Sequence, residues 1–109
     1  MTLETLDLSN LREAIGDDKE LEQELFEEFI SSTTEILEAL NPDGDNDDWK
    51  QKSHALKGLC VNLGAIRMGD LCMQSQEMSE NLANQKQDLL SQIKSEHAIV
   101  VEQLKQSHH

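Results

Sequence analysis

Apolar and polar positions along the chain recur at spacings of three and four, the period of an α-helix, and nowhere alternate with the period of two expected of a half-buried strand. Met1 to Leu6 reads as a loose lead-in. Leu8, Leu11 and Ile15 then mark a short helix, capped from Asp7 or Ser9 and stopped by Gly16. Asp17 or Asp18 opens a long helix to about Leu40, with a predicted buried stripe of Leu21, Leu25, Phe29, Ile36 and Leu40, joined by Phe26 and Thr33. The next helix is predicted from about Asp47 to Leu63, entered from Asp45 or Asn46 and closed by Gly64. Its buried positions are Trp49, Ser53, Leu56, Cys60 and Leu63. A further helix is predicted from about Ala65 to Leu82, burying Met68, Leu71, Cys72, Ser75, Met78 and Leu82; its three methionines, Met73 among them, read as adaptable core filling. After a short connection at Asn84 and Gln85, a last helix from about Lys86 to Gln106 is expected to bury Leu90, Ile93, His97, Val100 and Leu104.

The sum is an all-α fold. Short connections predict an antiparallel up-down-up-down four-helix bundle with one short additional helix at the N-terminus. Residues 1–106 form one domain and 107–109 a tail, in which His108 and His109 read as the remnant of a purification tag. Composition agrees with helix-on-helix packing: two phenylalanines, one tryptophan and no tyrosine leave Leu, Ile, Val, Met and Ala to fill the core of a 109-residue chain. With no run of 18 apolar residues, no signal-peptide pattern and no basic presequence, the expected location is the cytoplasm. Cys60 and Cys72 fall on apolar stripes and are expected to be buried, reduced thiols.

Charge narrows the function. Twenty-two acidic against nine basic side chains give a net charge of −13, which disfavours nucleic acid and anionic membrane as partners. The glutamates of the second helix read as a solvated face and not as metal ligands. The turn from Asn41 to Asn46 has the acidic spacing of a calcium loop, but counting from Asp43 the twelfth position, where a glutamate is needed, is His54. Yet four of the nine cations, Lys50, Lys52, Lys57 and Arg67, fall within 18 residues around that histidine.

Helical geometry says how His54 is presented. At about 100° per residue, Trp49, Ser53, Leu56, Cys60 and Leu63 span roughly 80°, and His54 lies about 130° from the centre of that arc. It therefore faces away from the core. Lys50 at i−4 and Lys57 at i+3 can reach the space above the imidazole, and Val61 continues the same outer side. Gly58 sits at i+4, where any side chain would stand beside the ring. A glycine within a helix costs about 1 kcal/mol relative to alanine. Room for an approaching partner offsets that cost, and an exposed imidazole flanked by cations suits capture of an anionic group such as phosphoryl. His97, by contrast, falls on an apolar stripe and reads as a core-edge histidine with a hydrogen-bond partner.

His54-Ala55-Leu56-Lys57-Gly58, followed by Gly64 six residues after the first glycine, resembles the H-x-L-K-G pattern of the histidine-containing phosphotransfer (HPt) domain. The similarity extends to Asp7-Leu8-Ser9-Asn10-Leu11, Gly16-Asp17-Asp18, Phe29 and Leu71-Cys72, about 100 residues in all. Leu59 departs from it, because the family usually has a small residue there; an enlarged apolar patch beside the site follows, with consequences for partner choice.

The resemblance implies a relay. A receiver domain carrying a phospho-aspartate docks over the exposed helix, and His54 accepts the phosphoryl group through Nε2. Lys57, with Lys50, offsets phosphoryl charge; Gly58 gives clearance; Val61 and the Leu8–Leu11 edge supply apolar contact; Leu56 and Gly64 complete the motif. The chain needs no cofactor of its own, and Mg2+ is expected on the receiver. Partners are response-regulator receivers or a hybrid sensor histidine kinase, and the chain is expected to be a free-standing monomer. A histidine kinase is excluded by the missing glycine-rich nucleotide loop and ATP-binding domain, and a ferritin-like metal bundle by the missing Glu-x-x-His pairs, since Gln51 and Lys94 stand three residues before His54 and His97. The alternative is a non-catalytic helical adaptor that binds a receiver or a partner helix without carrying phosphate.

Overall fold

The computed structural model describes residues 3–78 and 82–107, and within them the chain forms five helices and no strand. They are α1 (Ser9–Ile15), α2 (Lys19–Ala39), α3 (Asn46–Leu63), α4 (Ile66–Gln76) and α5 (Ala83–Gln106). His108 and His109, like Met1, Thr2 and Ser79 to Asn81, lie outside the described residues. No helix among the described residues is long and apolar enough to cross a membrane.

The helix starts follow local chemistry. Asp18 caps α2 by accepting the Leu21 N–H at 3.0 Å, and Asp45 caps α3 by accepting the Asp48 N–H at 3.3 Å. At α1 the residue before the helix is Leu8, which offers no capping side chain. The Asp7 carboxylate instead accepts both the N–H and the hydroxyl of Ser9, at 3.0 and 2.6 Å.

In α3 the expected buried set, Trp49, Ser53, Leu56, Cys60 and Leu63, is the observed one. In α2 the stripe is rotated. Phe26, Phe29, Thr33, Leu37 and, just beyond the helix, Leu40 are buried, whereas Leu25 and Ile36 are half-buried and Leu21 is exposed. These three sit roughly 60–120° off the stripe's centre. Glu22 takes the buried position one turn before Phe26, and the Arg12 guanidinium on α1 bonds it at 2.6 Å, which makes a buried carboxylate tolerable.

The last two helices differ from expectation at the ends that face each other. α4 stops at Gln76 instead of continuing to Leu82, with the Met78 N–H turning back to the Ser75 carbonyl at 3.2 Å. Neither glycine nor proline marks that stop. α5 begins at Ala83, so Asn84 and Gln85 are helical. Lys86, expected at its start, lies one turn inside the helix and is buried, with its ammonium on Asn46 Oδ1 and 5.3 Å from the Trp49 ring centre. Met68 is in the core and Met78 against it, but Met73 is exposed, contrary to its expected filling role.

α3 packs most extensively on α4. The Trp49 indole N–H donates to the Ser75 carbonyl at 2.9 Å, Ser53 Oγ lies 2.6 Å from Ser75 Oγ, and Gly69 backs onto Cys60. The chain turns from α3 into α4 through Gly64 at φ 104°, with the N–H groups of Gly64 and Ala65 both donating to the Cys60 carbonyl. The N-terminal segment crosses this turn. Asp7 N–H bonds the Gly64 carbonyl at 2.8 Å, Arg67 N–H bonds the Glu4 carbonyl at 3.1 Å, and the Arg67 guanidinium bonds the Leu3 carbonyl at 2.6 Å.

His97 is half-buried rather than fully buried, and it has the partner expected of it. Thr33 Oγ1 gives its hydrogen to the Phe29 carbonyl at 2.6 Å, so the imidazole Nε2–H donates to Oγ1 at 2.8 Å. Cys60 and Cys72 are buried free thiols, and their mutual hydrogen bond with burial pushes the Cys60 thiol up.

Candidate functional site

The α3 ridge that faces away from Leu56 and Cys60 presents Lys50, His54, Gly58 and Val61, all exposed, with Lys57 half-buried on its flank. Burial of Trp49, Ser53 and Leu56 fixes the roll of the helix and so holds the imidazole outward. Among the described residues His54 makes no hydrogen bond or ion pair, which leaves both ring nitrogens available. Gly58 has open space: a Cβ built there meets nothing within 4 Å. No packing among the described residues requires that glycine. Gly64 is the opposite case, because a Cβ there would collide with the Asp7 carbonyl, and its φ of 104° is itself a glycine conformation.

The four-cation cluster contracts in three dimensions. Lys52 pairs with Asp48 one turn earlier, and Arg67 is drawn to the Leu3 carbonyl and to Glu96, at 3.8 Å. Lys50 and Lys57 form no ion pair among the described residues and remain as the cations of the ridge. At i−4 and i+3 their Cβ atoms lie about 5–6 Å from that of His54. No group of three or more His, Cys, Asp or Glu side chains among the described residues is arranged to hold a metal ion.

Two grooves flank the ridge. On the α1–α2 side Leu11, Leu25, Glu28, Leu59 and Asn62 line one of about 190 Å³. Leu59 is half-buried there and packs against the core, so the larger side chain at this position does extend the apolar surface beside the site. Leu8 and Leu11 are half-buried on the same core. On the α4 side a groove of about 390 Å³ includes Lys57 and Val61 and is walled by Leu3, Ile66 and Met73. The sequence places Leu11, Leu59 and Val61 beside the site but does not show the grooves they line. Leu25 and Met73 were assigned to the interior, and Leu3 and Ile66 carried no periodic signal.

The arrangement offers one nucleophilic imidazole, two cations, a cleared approach and apolar flanks. The chain matches the family model for the Hpt domain over residues 6–107. Among solved structures it is similar to the crystal structure of histidine-containing phosphotransfer protein B (HptB) from Pseudomonas aeruginosa PAO1. The TM-score is 0.78 at 25% identity, over 98% of this chain and 96% of that one. No curated protein sequence matches.

Proposed function

The chain belongs to the Hpt domain family, and from that premise we propose that His54 is the group that carries the phosphoryl. The protein is a histidine phosphotransfer protein of a phosphorelay, a family that works with receiver domains and kinases. The observation that supports His54 is its combination of outward imidazole and open space at Gly58, on the helix whose other face is locked into the core.

In the proposed reaction the Nε2 lone pair attacks the phosphorus of a receiver's aspartyl phosphate in line with the scissile bond. The N–P bond forms, the P–O bond breaks, and the aspartate carboxylate leaves with the electron pair while Nδ1 keeps its proton. The reverse sequence returns the phosphoryl to an aspartate. Lys57 and Lys50 offset charge on the transferring oxygens. Gly58 admits the receiver backbone, and Val61 with the Leu8–Leu11 edge gives apolar contact. The receiver supplies Mg2+ for further charge neutralisation. The chain acts as a carrier without autokinase activity and as a monomer, with its outer α3 face open.

The proposed topology is an antiparallel up-down-up-down bundle of α2 to α5. Contacts of early with late residues support it: Ser53 meets Ser75 while Cys60 meets Gly69, and Thr33 meets His97. The test of the reaction is transfer from a phosphorylated receiver to the chain and to His54→Gln. The wild-type chain should gain one acid-labile phosphate and the variant none, with equal helical circular dichroism; undiminished labelling of the variant would refute the assignment.

A further inference from the structure

Exposed large apolar side chains are concentrated. Of six among the described residues, Leu3, Val61, Ile66 and Met73 line the single groove between α3, α4 and the N-terminal segment. Val61, 67% exposed, stands at its crest and the other three lie further down, on the flank of the ridge away from Gly58. In helical projection Gly58 falls about 40° to one side of His54 and Lys57 about 60° to the other. The proposed receiver contacts at Lys57 and Val61 reach the crest of this groove, whereas its Ile66–Met73 wall, on α4, carries none of them.

The floor explains why a groove exists. Gly69 and Ala65 present no bulk, and Gly69 lets α4 come close to Cys60, where its Cβ would stand 3.3 Å from that of Cys60. Larger side chains rise on either side. A channel between two packed helices receives the ridge of a third. Strand addition has no template, because the described residues contain no strand and the segment from Leu3 to Asp7 already bonds Gly64 and Arg67. Charge selects among helices. Asp7 and Asp70 lie in the lining with Lys57 as its cation, Ser9 holds the Asp7 carboxyl below the usual carboxylate range, and the whole chain is at −13. A second copy of so acidic a chain is repelled, whereas a basic partner is attracted.

We propose that the Leu3–Ile66–Met73 groove is a second docking surface, built for a partner helix whose apolar stripe is flanked by Lys or Arg. The inference does not depend on phosphoryl transfer. The test uses the full chain, isotopically labelled for NMR, titrated with a synthetic amphipathic helix carrying Leu at i, i+3, i+4 and i+7 flanked by Lys, and with the same helix flanked by Glu. Saturable shifts centred on Ile66, Met73 and Leu3 are expected with the Lys-flanked helix only. The double variant Ile66→Glu, Met73→Glu should weaken binding at least tenfold although it adds negative charge, and Leu21→Glu, an exposed change elsewhere, should leave it within about twofold. Shifts centred on Leu11 and Leu59, equal binding of the Glu-flanked helix, absence of saturable binding, or self-association abolished by the double variant would each overturn the proposal.

Discussion

At the scale of single residues, His54 and His97 show how burial separates two histidines in one chain. His54 faces solvent without a partner. His97 is held by Thr33, and desolvation lowers its pKa below the usual histidine value. The sign follows from linkage: the unfolded chain takes up the proton first, near pH 6.5, so stability falls as pH drops below that value and stops falling once the folded imidazole is also protonated. Replacing His97 with Gln should flatten that part of the stability–pH curve; an unchanged slope just below about pH 6.5 in urea titrations would mean that His97 is not its source. Gly58 makes a sharper case. With nothing near its Cβ, Gly58→Ala should stabilise the chain by about 0.5–1 kcal/mol and yet slow phosphoryl acceptance, and Gly58→Glu should block it with the helical signal intact. An unaffected transfer rate in both variants would remove the clearance argument.

At the scale of elements, the α3–α4 turn is the joint on which the site depends. Gly64→Ala meets both a left-handed backbone and the Asp7 carbonyl, and should cost about 2–4 kcal/mol, measured by denaturant unfolding, with the N-terminal segment losing amide protection first. A loss below about 0.5 kcal/mol would show that the segment is not held by this contact. The whole buried face of α3 was legible in the sequence because its spacing is regular and its caps are local. The α2 stripe was not, because counting apolar residues favours Leu21 and Leu25, whereas a charge partner on another helix, Arg12, makes Glu22 the inside residue. The end of α4 was illegible for a related reason. Met78 continues the apolar period, so nothing local distinguishes a helical turn from a chain that leaves the helix and still packs inward.

At the scale of the whole molecule, a −13 chain keeps two unpaired cations beside its outward histidine. The sequence overstated the cluster, since linear proximity cannot show that Lys52 serves Asp48 or that Arg67 ties down the N-terminal segment. What it did show, the outward His54 and the glycine beside it, is set by one helix alone and needs no knowledge of the rest of the fold. The grooves on either side are made by two or three elements together and became visible only with the structure. The most direct measurement is mass spectrometry of the intact chain and its peptides after incubation with a panel of phosphorylated receiver domains. A single acid-labile phosphate on His54, absent from His54→Gln, is the expected result; receiver binding with no gain of mass, or phosphate on another residue, would contradict the account.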